Sequence, residues 1–266
     1  MKIVVIGDVV GSPGRGVMKK ALPRVVRRHA VDYVIANVEN AAGGFGVTKD
    51  VCEEILDMGV DCLTSGNHIW DKREIIGLVD LLPQLLRPIN YPAPQPGRGS
   101  HVGRTRSGIK VATLNLSCRV FMNGAIDDPF RAAREEVARL RQETPVIVVD
   151  VHGEASSEKN ALGHFLDGQV SAVVGTHTHV PTCDHRVLPG GTAYCTDIGM
   201  TGPYDSVIGV EKEIVIQRFV TGMPSRFETA KGDPRFAAVV VEVDEATGRA
   251  RTIERMLLTE KEVEAY

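Results

Sequence analysis

Five strand-like runs in this 266-residue chain each stop at side chains able to bind a metal ion. Ile3–Gly7 leads to Asp8, and Tyr33–Val38 leads to Glu39 and Asn40. Asp61–Ser65 leads to Gly66-Asn67-His68, and Val146–Val151 leads to His152. Val170–Val174 leads to Gly175-Thr176-His177-Thr178-His179. Short apolar runs rich in β-branched residues read as buried strands. Each polar group then falls at the C-terminal end of a strand, which is where open α/β sheets gather their ligands. His177 and His179 are two apart on extended backbone, so they project to one side. Gly175 relieves crowding where their strand ends.

Helical patterns separate the strands. Arg15–His29 has apolar residues at helical spacing, and Pro23 should kink or break it. Thr48 is a suitable N-cap for a helix running to Asp57-Met58, with Gly59 just past its end. Lys72–Leu82 predicts a helix ended near Pro83, and Pro129–Gln142 predicts one with proline in its first turn. Ser157–Leu166 also reads as helix. Residues 91–108, rich in Pro, Gly and Arg, predict a long loop. Ile109–Leu116, Thr192–Thr196, Ala237–Val243 and Ala250–Leu257 read as strands, while Glu211–Val220 fits helix and strand equally. The early alternation and the strand-rich final third predict an α/β sandwich with two sheets. No repeat or boundary divides the chain, so one domain over residues 1–266 is expected.

Composition narrows the class. Hydrophobic content of 43% and charge of 24% are ordinary for a soluble globular protein. A net charge of -3 and a pI near 6.3 give no reason to expect stable binding to nucleic acid or membrane. No apolar run approaches the ~20 residues of a membrane span, and the N-terminus enters a strand without a signal pattern. The five cysteines form no CxxC pair, which favours reduced thiols and a cytoplasmic location.

Taken singly, each polar residue has a plainer explanation. Asp8 before Gly11-Ser12-Pro13-Gly14 could cap a turn, and no Gly-Lys-Ser/Thr follows to make that stretch a P-loop. Asn40 could occupy a left-handed turn. A lone histidine such as His152 more often serves a structural hydrogen bond than a metal. The set carries the argument. Carboxylate, amide and imidazole donors at one sheet edge suit manganese, iron or zinc better than calcium or magnesium.

These residues, in this order, resemble the blocks of the calcineurin-like metallophosphoesterases. The correspondence runs from Asp8 through Glu39, Gly66-Asn67-His68 and His152 to Gly175-Thr176-His177-Thr178-His179. Two blocks differ from that superfamily's usual form. Asp8-Val9-Val10 lacks the usual histidine, and Glu39-Asn40 stands where an aspartate usually bridges the metals. Both departures are similar to the YmdB-like branch of bacterial phosphodiesterases, as are Gly7–Gly11, Val38–Gly44 and Asp127-Asp128-Pro129-Phe130.

The resemblance implies an αββα sandwich of metallophosphoesterase type and two divalent ions, iron or manganese, with zinc as the other option. It implies one ion on Asp8, Glu39 and His179, with Asn40 the weakest of the ligands. It implies a second ion on Glu39, Asn67, His152 and His177, with Glu39 bridging. His68 would face the substrate rather than a metal, and Asp71 is a weaker candidate for orienting its ring. The implied substrates are 2′,3′-cyclic nucleotides, 2′,3′-cyclic AMP above all. The implied chemistry is attack on phosphorus by a hydroxide held between the ions, with His68 assisting the leaving group. Arg98, Arg104 and Arg106 could meet phosphate, and Phe121, Met122 and Phe130 could stack on a base, although solvation and packing explain them as well. Three alternatives remain open: a phosphomonoesterase on the same site, a regulatory metal protein in RNA turnover, and a mononuclear metal amidase, which Gly66-Asn67-His68 disfavours. A homo-oligomer is a fair expectation for a symmetric soluble enzyme.

Overall fold

The computed structural model describes residues 1–266 and has two β-sheets and six α-helices. The first sheet is built on β1 (Lys2–Ile6), β2 (Asp8–Val9), β3 (Tyr33–Asn37) and β4 (Cys62–Thr64). The chain then forms the second sheet from β5 (Ser100–Arg104), β6 (Lys110–Ser117), β7 (Ile147–His152), β8 (Ala172–Thr176), β9 (Arg186–Val187) and β10 (Ala193–Cys195). It returns to the first with β11 (Met200–Pro203), β12 (Pro234–Val243) and β13 (Ala250–Thr259). The first sheet runs β2-β11-β12-β1-β3-β4 with β13 also on β12, and the second runs β5-β6-β7-β8-β10-β9.

The helices are α1 (Gly11–His29), α2 (Lys49–Asp57), α3 (Pro129–Leu140), α4 (Ser156–Phe165), α5 (Lys212–Thr221) and α6 (Glu260–Ala265). Three apolar clusters show the layering. Ile3, Val5 and Ile35 of the first sheet share one with Val148, Val174 and Cys195 of the second, so the sheets pack face to face. Val17, Leu22 and Ile55 of α1 and α2 cover the outer face of the first sheet. Val137, Leu140 and Leu162 of α3 and α4 cover the outer face of the second. The order is therefore helices, sheet, sheet, helices. Alternate residues of β1 and β3 go to different clusters, as the two-residue period of a strand requires.

Local chemistry sets the helix ends. The Thr48 hydroxyl accepts from the Val51 N–H, and the Asp128 carboxylate accepts from the Phe130 N–H ahead of Pro129. Thr259 and Glu262 form a capping box that starts α6, and α6 lies on α1 through the Lys20–Glu260 ion pair and the bond from Arg24 to the Val263 carbonyl.

Four details refine or correct the sequence reading. Pro23 does not break α1, which continues for 19 residues; Pro23 and Lys19 both face water, so the Lys19 carbonyl that loses its donor can be hydrated. Residues 72–82 form two short 3₁₀ turns, Arg73–Gly77 and Val79–Leu81, rather than a helix. The 91–108 stretch is not wholly loop: β5 pairs antiparallel with β6 along it, and Gly103 lets it pass over Tyr33, where a Cβ would lie 2.3 Å from the phenol oxygen. The ambiguous 211–220 segment is helical, α5.

Candidate metal centre

The site lies where the parallel strands of both sheets end. Asp8 sits in β2, Glu39 two residues past β3, and Asn67 three past β4. His152 is the last residue of β7, and His177 is the first past β8. Glycines let these ends converge. A Cβ at Gly66 would lie 2.1 Å from the His152 ring, and one at Gly175 would lie 1.7 Å from the Thr196 carbonyl oxygen.

Three lone-pair atoms meet at one imidazole nitrogen. Nε2 of His152 is 3.1 Å from Glu39 Oε1, 2.9 Å from Asn67 Oδ1 and 3.0 Å from His177 Nδ1. The other ring nitrogen, Nδ1, lies 3.0 Å from the Thr176 hydroxyl, which donates onward to Asp150 Oδ1 at 2.7 Å. With Nδ1 donating to Thr176, a neutral His152 has no proton at Nε2 for any of its three neighbours. A cation at their centre satisfies all four donor atoms at once. Asp150 is itself fully buried, and the Thr64 hydroxyl and Asn37 amide also donate to it. This network fixes the His152 tautomer.

The residues of the first expected ion site do not converge as closely: the tight cluster of titratable ligands is Glu39, His152 and His177, without Asp8 or His179. Asp8 Oδ2 accepts from the His177 N–H at 3.1 Å, while its Oδ1 is buried without a partner. Asn40 donates its amide to the Gly44 carbonyl at 2.9 Å, and its Oδ1 is likewise buried and unpartnered. His179 Nδ1 lies 2.8 Å from the Ile208 carbonyl oxygen, a bond that places the proton on Nδ1 and the lone pair on Nε2. Unpaired buried oxygens of this kind are costly unless something positive joins them, so the residues present fit metal ions.

Electrostatics agree with that reading. Burial pushes the Asp8 carboxyl up to about 6, against the attraction of His179 and His152. Burial also works against the Glu39 carboxylate, but a protonated His152, with His68, outweighs it and holds Glu39 down at about 2, while Glu39 in turn raises His152 against its burial; an ion at the centre would take the place of that Nε2 proton. His177 is pushed down to about 3 by burial and by His152 beside it, so it stands neutral, as a ligand must.

His68 stands outside this cluster. Its backbone N–H donates to Glu39 Oε2 at 3.0 Å, and its ring faces a cavity of about 430 Å³. Asp71 Oδ2 lies 2.8 Å from His68 Nδ1, and Phe45 meets the ring edge-on with centroids 5.0 Å apart. Val10 also lines this cavity. Of the other residues singled out in the sequence, Arg98, Arg104, Arg106, Phe121, Met122 and Phe130 do not line it. The sequence reading passed over several that do or that support it. Glu154 Oε2 is 3.2 Å from His177 Nε2, and Ile208, Phe227 and Thr229 close the cavity from the far end of the chain. Glu154 had a signal, two residues after His152; the others depend on a chain return that no local pattern shows.

A mixed carboxylate, amide and imidazole cluster at the strand ends of a two-sheet α/β fold defines a candidate metal-dependent hydrolytic centre. A family described as YmdB-like protein matches residues 4–256, and the chain belongs to that family. It is 46% identical over 260 residues to a Bacillus subtilis protein named 2′,3′-cyclic-nucleotide 2′-phosphodiesterase, covering 98% of each chain. It is 34% identical to a Mycoplasma genitalium protein named as a phosphatase/phosphodiesterase, covering 96% of this chain and 92% of that one. Two crystal structures share the fold. One, of a Thermus thermophilus protein described as hypothetical, gives a TM-score of 0.90 at 41% identity over 97% of this chain and 99% of that one. The other, a Mycoplasma pneumoniae protein described as a novel phosphatase, gives 0.91 at 34% identity over 97% and 93%. No helix here is long and apolar enough to cross a membrane.

Proposed function

We propose that the protein is a dinuclear metal-dependent phosphodiesterase that hydrolyses 2′,3′-cyclic nucleotides of the 2′,3′-cyclic AMP type. One observation carries the proposal: three lone-pair atoms converge on His152 Nε2, and two of the residues that supply them, Glu39 and His177, line the cavity that His68 faces. The substrate class is supported by the 46% identity to the Bacillus phosphodiesterase over nearly the whole chain. The layered architecture is taken as the αββα sandwich of metallophosphoesterase type, forming a single domain over residues 1–266.

One ion is assigned to Asp8, Glu39, His179 and Asn40, and a second to Glu39, Asn67, His152 and His177. Iron or manganese suits this donor set best. Divalent ions held there supply an activated water at neutral pH and offset charge on the phosphoryl oxygens. Glu39 belongs to both sets, and its depressed pKa keeps it ionised across the working range. His68 acts on the substrate side. Asp71 accepts from Nδ1, and His68 as the imidazolium carries a second proton at Nε2 that it can donate to the oxygen leaving phosphorus, becoming neutral as it does so. Phe45 against the ring restricts its rotation.

The decisive assay is hydrolysis of 2′,3′-cyclic AMP and of a nucleoside monophosphate by manganese-loaded protein, with Asp8→Asn as background. Turnover of the cyclic diester, lost in the variant, supports the proposal. Turnover of the monophosphate alone would replace it with a monoesterase, the second reading, which the phosphatase names of the Mycoplasma relatives favour. All five cysteines are free, which fits a reducing cytoplasm, the compartment proposed. A small phosphoester is the only partner that the proposal requires. Assembly as a homo-oligomer is proposed on the general frequency of symmetric enzymes.

A further inference from the structure

Val207 and Val210 exchange both backbone hydrogen bonds, at 2.9 and 3.0 Å, so Ile208 and Gly209 form a two-residue hairpin loop. Both have positive φ, 47° and 98°. Asn-Gly and Asp-Gly close such a loop most readily. A β-branched residue in the left-handed region is strained. Burial does not offset the strain, because Ile208 is 51% exposed.

The backbone role does not require isoleucine either. The carbonyl that accepts from His179 Nδ1 would be supplied equally well by asparagine. Only the side chain is particular to isoleucine, and it lines the same cavity as His68 and His179, together with Val180 and Phe227. A phosphate gains nothing from an apolar wall, whereas the face of a nucleobase does.

We infer that Ile208 is a specificity-determining residue: with Phe227 it forms the wall on which the base of the cyclic nucleotide packs, and the strained turn is retained for that contact. The inference rests on the proposed cyclic-nucleotide activity and adds to it the part of the site that distinguishes a nucleotide from a bare sugar phosphate.

The test compares kcat/KM for 2′,3′-cyclic AMP with kcat/KM for a base-free analogue, methyl ribofuranoside 2′,3′-cyclic phosphate, in wild type, Ile208→Asn and Ile208→Leu. Ile208→Asn should fold with equal or higher Tm, since asparagine suits the turn. Its preference for the nucleotide over the analogue should fall about tenfold, the loss expected from removing one apolar side-chain contact. Ile208→Leu should keep most of the preference. An unchanged preference in a folded Ile208→Asn would overturn the inference while leaving the phosphodiesterase proposal intact. Wild-type protein inactive on the cyclic nucleotide would overturn both.

Discussion

Lys159 and Asp197 form an ion pair 2.8 Å long with about 1% of either side chain exposed. The pair grips the backbone on both sides of His177. The ammonium donates to the Thr176 carbonyl at 2.6 Å, and Asp197 accepts from the Thr178 N–H at 3.1 Å and the Gly199 N–H at 2.9 Å. His177, between them, has a φ of 100°, a conformation that costs a non-glycine residue of order 1–3 kcal/mol. The surrounding bonds hold it there. Lys159→Met leaves the Asp197 charge buried and unpaired, and should cost about 3–5 kcal/mol of stability. Urea unfolding measures this directly; a loss below about 1 kcal/mol would mean the pair does not anchor the loop.

Gly66 can be tested without touching any proposed ligand. A methyl group at this position would lie 2.1 Å from the His152 ring, so Gly66→Ala must displace the imidazole or the Asn67 loop. The variant should bind fewer ions per chain than wild type when metal content is measured after dialysis against manganese. Full loading would show that the ring moves without consequence.

Chelation should destabilise the protein. Ions bound as proposed would compensate the buried oxygens of Asp8 and Asn40, and a ligand that binds only the folded state raises Tm by mass action. Protein stripped with EDTA should unfold at lower temperature in a calorimeter, and manganese should restore the transition. An unchanged Tm would argue that the site is empty in solution.

His68→Ala should lower kcat on the cyclic diester by about 10²–10⁴-fold, the usual range for a lost proton donor. Asp71→Asn removes the carboxylate 2.8 Å from the ring but not the imidazole, so its effect should be smaller. Steady-state kinetics with both variants fully metal-loaded decides the order. A greater loss in Asp71→Asn would assign the proton transfer elsewhere.

One thiol should react in the native state. Cys183 is exposed, whereas Cys52, Cys62, Cys118 and Cys195 are buried. Burial pushes the first three of these thiols up to about 12 and Cys195 up to about 11, so they stay protonated and unreactive at pH 8. Titration with DTNB should release one equivalent of chromophore per chain before denaturant and five after it.

The strand ends were legible because burial writes itself into composition: β3 and β7 are buried at every position and consist largely of apolar residues. The polar residues that follow them stand out for the same reason. Other elements left weaker traces. β5 is a partly exposed edge strand with a glycine inside it, so its side chains show no alternation. In α5 only Val215 is buried, and Ile216, Phe219 and Val220 are exposed, which blurs the helical period. The cavity wall at Ile208 and Phe227 was hidden because it is made by a distant return of the chain.

The pairing of β2 with β11 has a consequence for synthesis. Asp8 is synthesised well before its partners: Met200 lies beside it in the sheet, and the His177 N–H whose bond it accepts comes 169 positions later. Contacts so distant in sequence form late in folding. A nascent or truncated chain therefore carries its first candidate ligand long before it can use it, and cannot build the site in part. Fragments that stop before β11 would therefore neither hold ions as proposed nor hydrolyse a cyclic nucleotide.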